Sequence, residues 1–459
     1  MDSCPRQPRR NKGLALYFPR SRAVRNRVGW DLVENYRTAR DLMQILFMVG
    51  LFSLSMAMLA MGQNSWAASS ATNSQSALRI STDFGGTVRV NSTAKLLAGL
   101  PPSYPGHFSI AETQSWKEHS AAMRSAWTQV SSVRVAAMSV WRDNAINSTC
   151  PSGKTLLYPF SGPDFFNAYW LFPDCANYVL FGLEHIGEVP EVENVSDRDL
   201  SRLLVDVRIA VSDLVDRNYF ITENMSRQLR TAQLRGVIPL LIIPMALSEV
   251  EILRIVPHEL PRQLRARGAH SPKNVDKPAK NPLRQLNGIT IEFRKPGKPM
   301  IQRLHYFTLD ATDEGLEHYP EFVTFLQSLA PTNTYLKAAS YLLHGREFRR
   351  LRNTLLEVSD FLLQDDTGLP YYFLQPKRWN VQLYGRYQTP IPPFERAFQA
   401  SLDKAYRANR PEPLPFEFGY SFSDKRDNRS NALIGRKLLA AQLKTVSIPK
   451  ETSPATVRK

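Results

Sequence analysis

What the sequence lacks narrows it first. There is no Gly-x-Ser-x-Gly elbow, so the usual strand-to-helix turn of a serine hydrolase is missing. His258-Glu259 has no second histidine at the spacing of a zinc-protease helix. Cys150-Pro-Ser-Gly153-Lys154-Thr155 ends like a phosphate-binding loop, but Ser148 stands where that pattern needs its first glycine. A strand, not a helix, is predicted after it, so no row of helix N-terminal amides would face a phosphate. No metal-ligand set and no cofactor motif remain. The basic run 262–282 carries no aromatics among its charges. Single-stranded nucleic acid needs such stacking platforms, so nucleic acid is not an expected partner and a solvated linker is.

What is there starts with charge. The 459 residues carry 58 Lys and Arg against 42 Asp and Glu, a net +16. Residues 1–67 hold ten of the basic and four of the acidic residues, which leaves the remainder at +10. That surplus permits an anionic envelope component as partner, with an ordinary solvated surface as the alternative. Residues 42–61, LMQILFMVGLFSLSMAMLAM, form an uncharged apolar run behind a basic segment and before Ser65-Trp-Ala67. This is the three-part plan of a secretory signal cut after Ala67. The run is also long enough to stay as an inner-membrane anchor. Both readings place the rest of the chain in the periplasm or outside the cytoplasm. Of three cysteines, Cys4 lies in the leader. Cys150 and Cys175 are the candidate disulfide, with two free thiols as the alternative.

The chain is organised around residues 154–191, its densest aromatic stretch. A strand over 156–160 runs into the turn Ser161-Gly162-Pro163-Asp164, where glycine and proline supply the turn geometry. Before it, 68–150 reads as a polar linker with a strand near 87–90 and a long amphipathic helix from Ser109 to about 144. After it come a first half (151–265), a basic linker (266–285), a second half (286–422) and a basic tail (423–459) with a helix near 438–443. Within the halves, VIPLLII (237–243), 369–374 and 414–419 read as strands; 223–235, 334–343, 347–363 and 394–408 read as helices; and 289–294 with 301–309 reads as a hairpin around Lys295-Pro-Gly-Lys298. The predicted class is mixed α/β, with two halves that echo each other in order: Gly236-Val-Ile-Pro239 against Gly368-Leu-Pro370, for example.

The candidate catalytic residues are Ser161, Asp164, His344, Asp365 and Asp366. Ser161 at a strand end is a candidate nucleophile and Asp164 its neighbour; the alternative is a turn closed by side-chain-to-backbone bonds. His344 is the candidate base, or a satisfied core histidine. Asp365-Asp366 can share a proton or hold a cation, or simply end a helix. Tyr158, Glu184 and Arg386 are the candidate binding residues, Arg386 as a clamp for an anionic group. His185 beside Glu184 would point to the opposite face of a strand, which argues against an acid/base pair.

YPFSGPDFF, GLEHIGEVP, LKAASYLLH, LQDDTGLPYYF and YGRYQTPIPPF together resemble a set of uncharacterised exported bacterial proteins, in which the matching segments read GLEPVG, SASYLMH and QDDSGIP. The resemblance spans about 155–431. His185 stands where that set has proline, so it is not one of the shared residues. The resemblance implies export and the extent of the body, and no chemistry. Two functions follow from the residues: an extracytoplasmic binding or structural protein built around the YPFSGPD turn, or a hydrolase using Ser161 and Asp164 with His344 or Asp365-Asp366.

Overall fold

The structure, a computed structural model, describes residues 84–146, 150, 153–220, 228–231, 234–258, 284–387, 390, 392–420 and 430–438. The expected leader with its apolar run, nearly all of the basic linker, most of 223–235 and all but the first residue of the helix expected near 438–443 lie outside the described residues. Among those described, no helix is long and apolar enough to cross a membrane.

Nine strands make one mixed sheet: β1 (Thr155–Pro159), β2 (Asn177–Gly182), β3 (Glu251–Pro257), β4 (Asn287–Arg294), β5 (Ile301–Thr308), β6 (Thr332–Leu336), β7 (Ser359–Gln364), β8 (Trp379–Gly385) and β9 (Asn431–Lys437). Their order is β3-β4-β5-β2-β1-β6-β7-β9-β8. The five central strands, β5 to β7, are parallel; the flanking pairs are antiparallel. β1 and β6 are buried at every position, as central parallel strands covered on both faces must be.

Alternation divides the sheet between two cores. Leu156, Tyr158, Leu180 and Leu304 face a layer that includes helices Phe84–Leu97, Gln114–Gln129, Phe165–Leu171, Asp197–Arg217 and Ile238–Leu247. Leu157, Val179, Phe181 and Phe307 face helices Pro320–Ser328, Arg349–Val358 and Ala400–Asn409.

The mixed α/β class therefore holds, in one sheet. The expected halves do not form two: β1 and β2 of the first lie between β5 and β6 of the second. Their strand orders differ too, since the first half ends on edge strand β3 and the second opens on the hairpin β4–β5. Residues 431–437, expected in the basic tail, supply β9.

Several elements differ from their sequence reading. VIPLLII is a helix, Ile238–Leu247, buried on nearly every side. A helix apolar all round shows no period, and Pro239 in its first turn starts a helix where it would break a central strand. Residues 87–90 lie in helix Phe84–Leu97. Thr332–Leu336 is a strand and Ala339–His344 a 3-10 turn, where 334–343 read as one helix; buried on both faces, Thr-Asn-Thr-Tyr-Leu lacks the alternation that marks a strand. Helix Arg349–Val358 passes straight into β7, residues 371–373 are 3-10, and 414–419 form no strand. The long lead-in helix is divided by a π-helical stretch, Val130–Val135, and Thr113 rather than Ser109 caps its main part. The hairpin is as read, with Gly297 at φ +72° in its turn.

At the open edge of β3, Asn91 does what a neighbouring strand would. Its amide donates to the Ile252 carbonyl and accepts from the Ile252 N–H (2.6 and 2.9 Å), and Thr87 donates to the Leu253 carbonyl.

Cys150 and Cys175 are paired, Cα to Cα 4.9 Å, and join the amino ends of β1 and β2. The bridge closes a loop of 25 residues. Replacing both by serine is expected to lower stability by about 3 kcal/mol through the freed unfolded chain. Urea unfolding of the variant against the oxidised protein measures this; equal midpoints would mean the bridge contributes nothing.

Candidate functional site

The chain leaves β1 through helix Phe165–Leu171 toward β2, in one layer, and leaves β6 through helix Arg349–Val358 toward β7, in the other. The carboxyl ends of β1 and β6 thus mark a topological switch point, the place where open α/β sheets leave a crevice. Two non-glycine residues hold positive φ there, Phe160 (56°) after β1 and Ala338 (60°) after β6. Such angles persist only where surrounding contacts enforce them, and they gather at functional sites.

The centre of the site is an ion pair. Lys337 Nζ lies 2.7 Å from Asp164 Oδ2, with both side chains almost fully buried. Asp164 also accepts from Tyr158 OH (2.8 Å) and Asn167 Nδ2 (2.8 Å), and caps helix Phe165–Leu171 through the Asn167 N–H. Lys337 donates again to the Asn218 carbonyl (2.5 Å), on the left-handed residue that ends helix Asp197–Arg217. Burial pulls the Lys337 pKa down, and the Asp164 carboxylate opposes that pull. Burial, then the neighbouring Asp164 carboxylate, pushes the Tyr158 pKa well up.

One strand over, Asp365 accepts from the Ala338 N–H (2.9 Å) and from the Thr367 N–H and hydroxyl. Its bond to Ala338 supports the strained backbone. Asp366 accepts from Tyr341 OH and from Asn431 Nδ2 at 2.9 Å. Burial and the charge of Asp366 raise the pKa of Asp365; burial raises that of Asp366. Arg386 is exposed, and its N–H donates to the carbonyl of Ser430, the residue before Asn431.

Among the described residues, four polar atoms in this region have no hydrogen-bond partner: Asn167 Oδ1, Asn218 Oδ1, Tyr335 OH and Ser340 Oγ, each on a residue with no exposed surface. Asn167 and Asn218 contact the ion pair directly, the Tyr335 ring lies 4.4 Å from that of Tyr158 at a tilt of 49°, and Ser340 follows the Ala338 turn.

Six of the candidates, Tyr158, Ser161, Asp164, Asp365, Asp366 and Arg386, therefore gather at the carboxyl end of β1 and the strands beyond it. They do not assemble a nucleophile and base. Ser161 is buried and donates to the carbonyl of its neighbour Gly162 (2.9 Å). His344 bonds the Gly368 carbonyl (3.0 Å), and burial lowers its pKa. Glu184 lies apart, toward β5, where its carboxylate and backbone carbonyl accept from Tyr306 OH. Burial raises its pKa. The corner 161–164 is packed, not open to solvent.

Lys337, Ser340, Tyr341, Asn167, Asn218 and Asn431 belong to the site and were not singled out from sequence. Lys337 had one signal, a lone lysine directly after Thr-Asn-Thr-Tyr-Leu, but only a strand assignment makes it informative. Among the described residues no group of three or more His, Cys, Asp or Glu is placed to hold a metal ion. A small apolar cavity of about 40 Å³ lies elsewhere, among Met123, Trp127, Val130, Phe166, Leu214 and Leu240. The chain matches no protein-family model, no curated protein and no solved structure.

Proposed function

We propose that this is an extracytoplasmic binding protein whose ligand is small and polar and reaches the buried polar cluster at the switch point between β1 and β6 by displacing the packed corner 161–164. The observation that carries the reading is the set of four buried, unpartnered polar atoms around the Asp164–Lys337 pair. Buried polar groups are otherwise almost always satisfied, and each one left alone costs about 1–3 kcal/mol. A ligand carrying both donors and acceptors, such as a hydroxyl- or amide-bearing fragment of an anionic envelope polymer, would satisfy them. Arg386 at the exposed margin would meet its anionic group. The ion pair holds the site's shape and is not itself a reacting group. A binding role is favoured over hydrolysis because Ser161 and Asp164 are both engaged in bonds that fix the turn. Export accords with the leader's charge and apolar run and with the paired cysteines.

Tyr335→Phe tests this with one atom. Without ligand the variant is expected to match or exceed the wild type in melting temperature, because an unpaired buried hydroxyl is removed. A thermal-shift screen of sugars, amino acids and polyol phosphates is expected to yield a compound that stabilises the wild type, with about tenfold weaker binding to Tyr335→Phe and Ser340→Ala. A high-resolution crystal structure showing all four atoms bonded to ordered water, together with an empty screen, would defeat the binding reading. Recovery of the mature protein from the cytosol, with its amino terminus intact, would defeat export.

A further inference from the structure

The hairpin edge of the sheet carries a second polar cluster, far from the switch point in strand order. Thr290 on β4 pairs with His305 on β5 and with Val256 on β3. His258 follows the end of β3, its N–H donating to the Gly288 carbonyl. The two histidines therefore reach toward Thr290 from its two neighbouring strands. Their Nδ1 atoms are 3.2 Å apart, and each is 3.0 Å from Thr290 Oγ1. The imidazole planes cross at 85°.

Three heteroatoms thus form a nearly equilateral triangle. All three sides are within hydrogen-bond distance, and the tautomers decide which side holds a proton; with both rings protonated at Nε2, both Nδ1 atoms present lone pairs and the hydroxyl donates to one of them. A cation at the usual metal–nitrogen distance of about 2.05 Å from both nitrogens would see them at an angle of about 100°, close to tetrahedral. The threonine oxygen, 3.0 Å from both nitrogens, completes a triangle, and an ion above its plane would lie about 2 Å from all three atoms. Phe307 and Phe325 pack on His258 at 4.6 and 5.6 Å and wall off one side.

The geometry points to a transition-metal site formed by His258, His305 and Thr290, with solvent completing the coordination. The chemistry of the surroundings selects the ion. Glu292, two residues along β4 from Thr290, is bonded to Arg254 and Arg303, so among the described residues that carboxylate is already engaged by two guanidinium groups. Calcium and magnesium need oxygen ligands and negative charge. Zinc, nickel and copper(II) bind neutral imidazole well. The site lies beyond what the sequence alone suggested, where His258 counted only as half of an incomplete zinc-protease motif.

The test is titration of the full, purified and metal-stripped chain with zinc by calorimetry, and with cobalt(II) by visible absorption. One ion per chain at micromolar affinity is expected, displacing cobalt when zinc is added. His258→Asn and His305→Asn should each weaken it at least 100-fold, and Thr290→Val roughly tenfold. X-ray absorption of the zinc-loaded wild type, which needs no variant to fold, should show two imidazoles. Absence of saturable binding below millimolar zinc overturns the proposal. So does a bound ion with fewer than two imidazoles, or one whose affinity survives loss of either histidine.

Discussion

Lys337→Met is expected to destabilise the folded chain by about 3–5 kcal/mol, measured by urea unfolding at pH 7. The substitution keeps most of the side-chain volume and removes the ammonium. It leaves the Asp164 carboxylate buried, with only the Tyr158 hydroxyl and the Asn167 amide and N–H to hold it. It also leaves the Asn218 carbonyl without its strongest donor. The magnitude comes from the uncompensated charge and not from the worth of the pair, so the two partners should be strongly non-additive. Lys337→Met combined with Asp164→Asn is expected to cost about 2 kcal/mol less than the sum of the single changes. Additive costs, or a loss under 1 kcal/mol for Lys337→Met, would show that the pair is not buried as described.

Gly236→Ala is expected to cost more than about 4 kcal/mol, enough to prevent accumulation of folded protein. Gly187 and Gly236 lie back to back at φ +73° and +69°, where the segment leaving β2 crosses the start of helix Ile238–Leu247. Hydrogen bonds run between the two segments, from the Val237 N–H to the His185 carbonyl (2.9 Å) and from the Ile238 N–H to the Ile186 carbonyl (3.1 Å). A β-carbon on Gly236 would overlap the Gly187 backbone, and one on Gly187 would overlap the Arg235 carbonyl. Backbone cannot swing aside as a side chain can. Gly297→Ala is the control: φ is +72°, yet nothing lies within 4 Å of the added carbon. It should cost only the left-handed penalty of about 1–2 kcal/mol. Equal losses at Gly236 and Gly297 would reduce the crossing to a matter of φ alone.

The sequence was most legible where local chemistry decides structure. The Lys295-Pro-Gly-Lys298 turn specifies its hairpin, and Ser161-Gly-Pro-Asp164 ends β1 and caps the next helix as its residues suggest. It was least legible where tertiary burial hides the period. The wholly apolar helix Ile238–Leu247 looks like a strand, and the wholly buried strand Thr332–Leu336 looks like a helix. That second ambiguity concealed the site. Lys337 on a helix is an ordinary solvated lysine. Lys337 at the end of a central strand has nowhere to go but inward, where Asp164, 173 residues earlier, is its partner. Asp164 itself was visible, but its role was not, because a carboxylate's partner across a sheet leaves no mark in local sequence.

The order in which the strands are laid down has a consequence for biogenesis. β1 and β2 are made first, yet each needs a neighbour, β6 and β5, from beyond residue 300. A chain delivered amino end first would hold two unpaired, apolar strand edges until well over a hundred further residues arrived. Assembly of this kind is slow and prone to mispairing. Early truncations should collect as aggregates, and the protein should depend heavily on a holding chaperone wherever it folds.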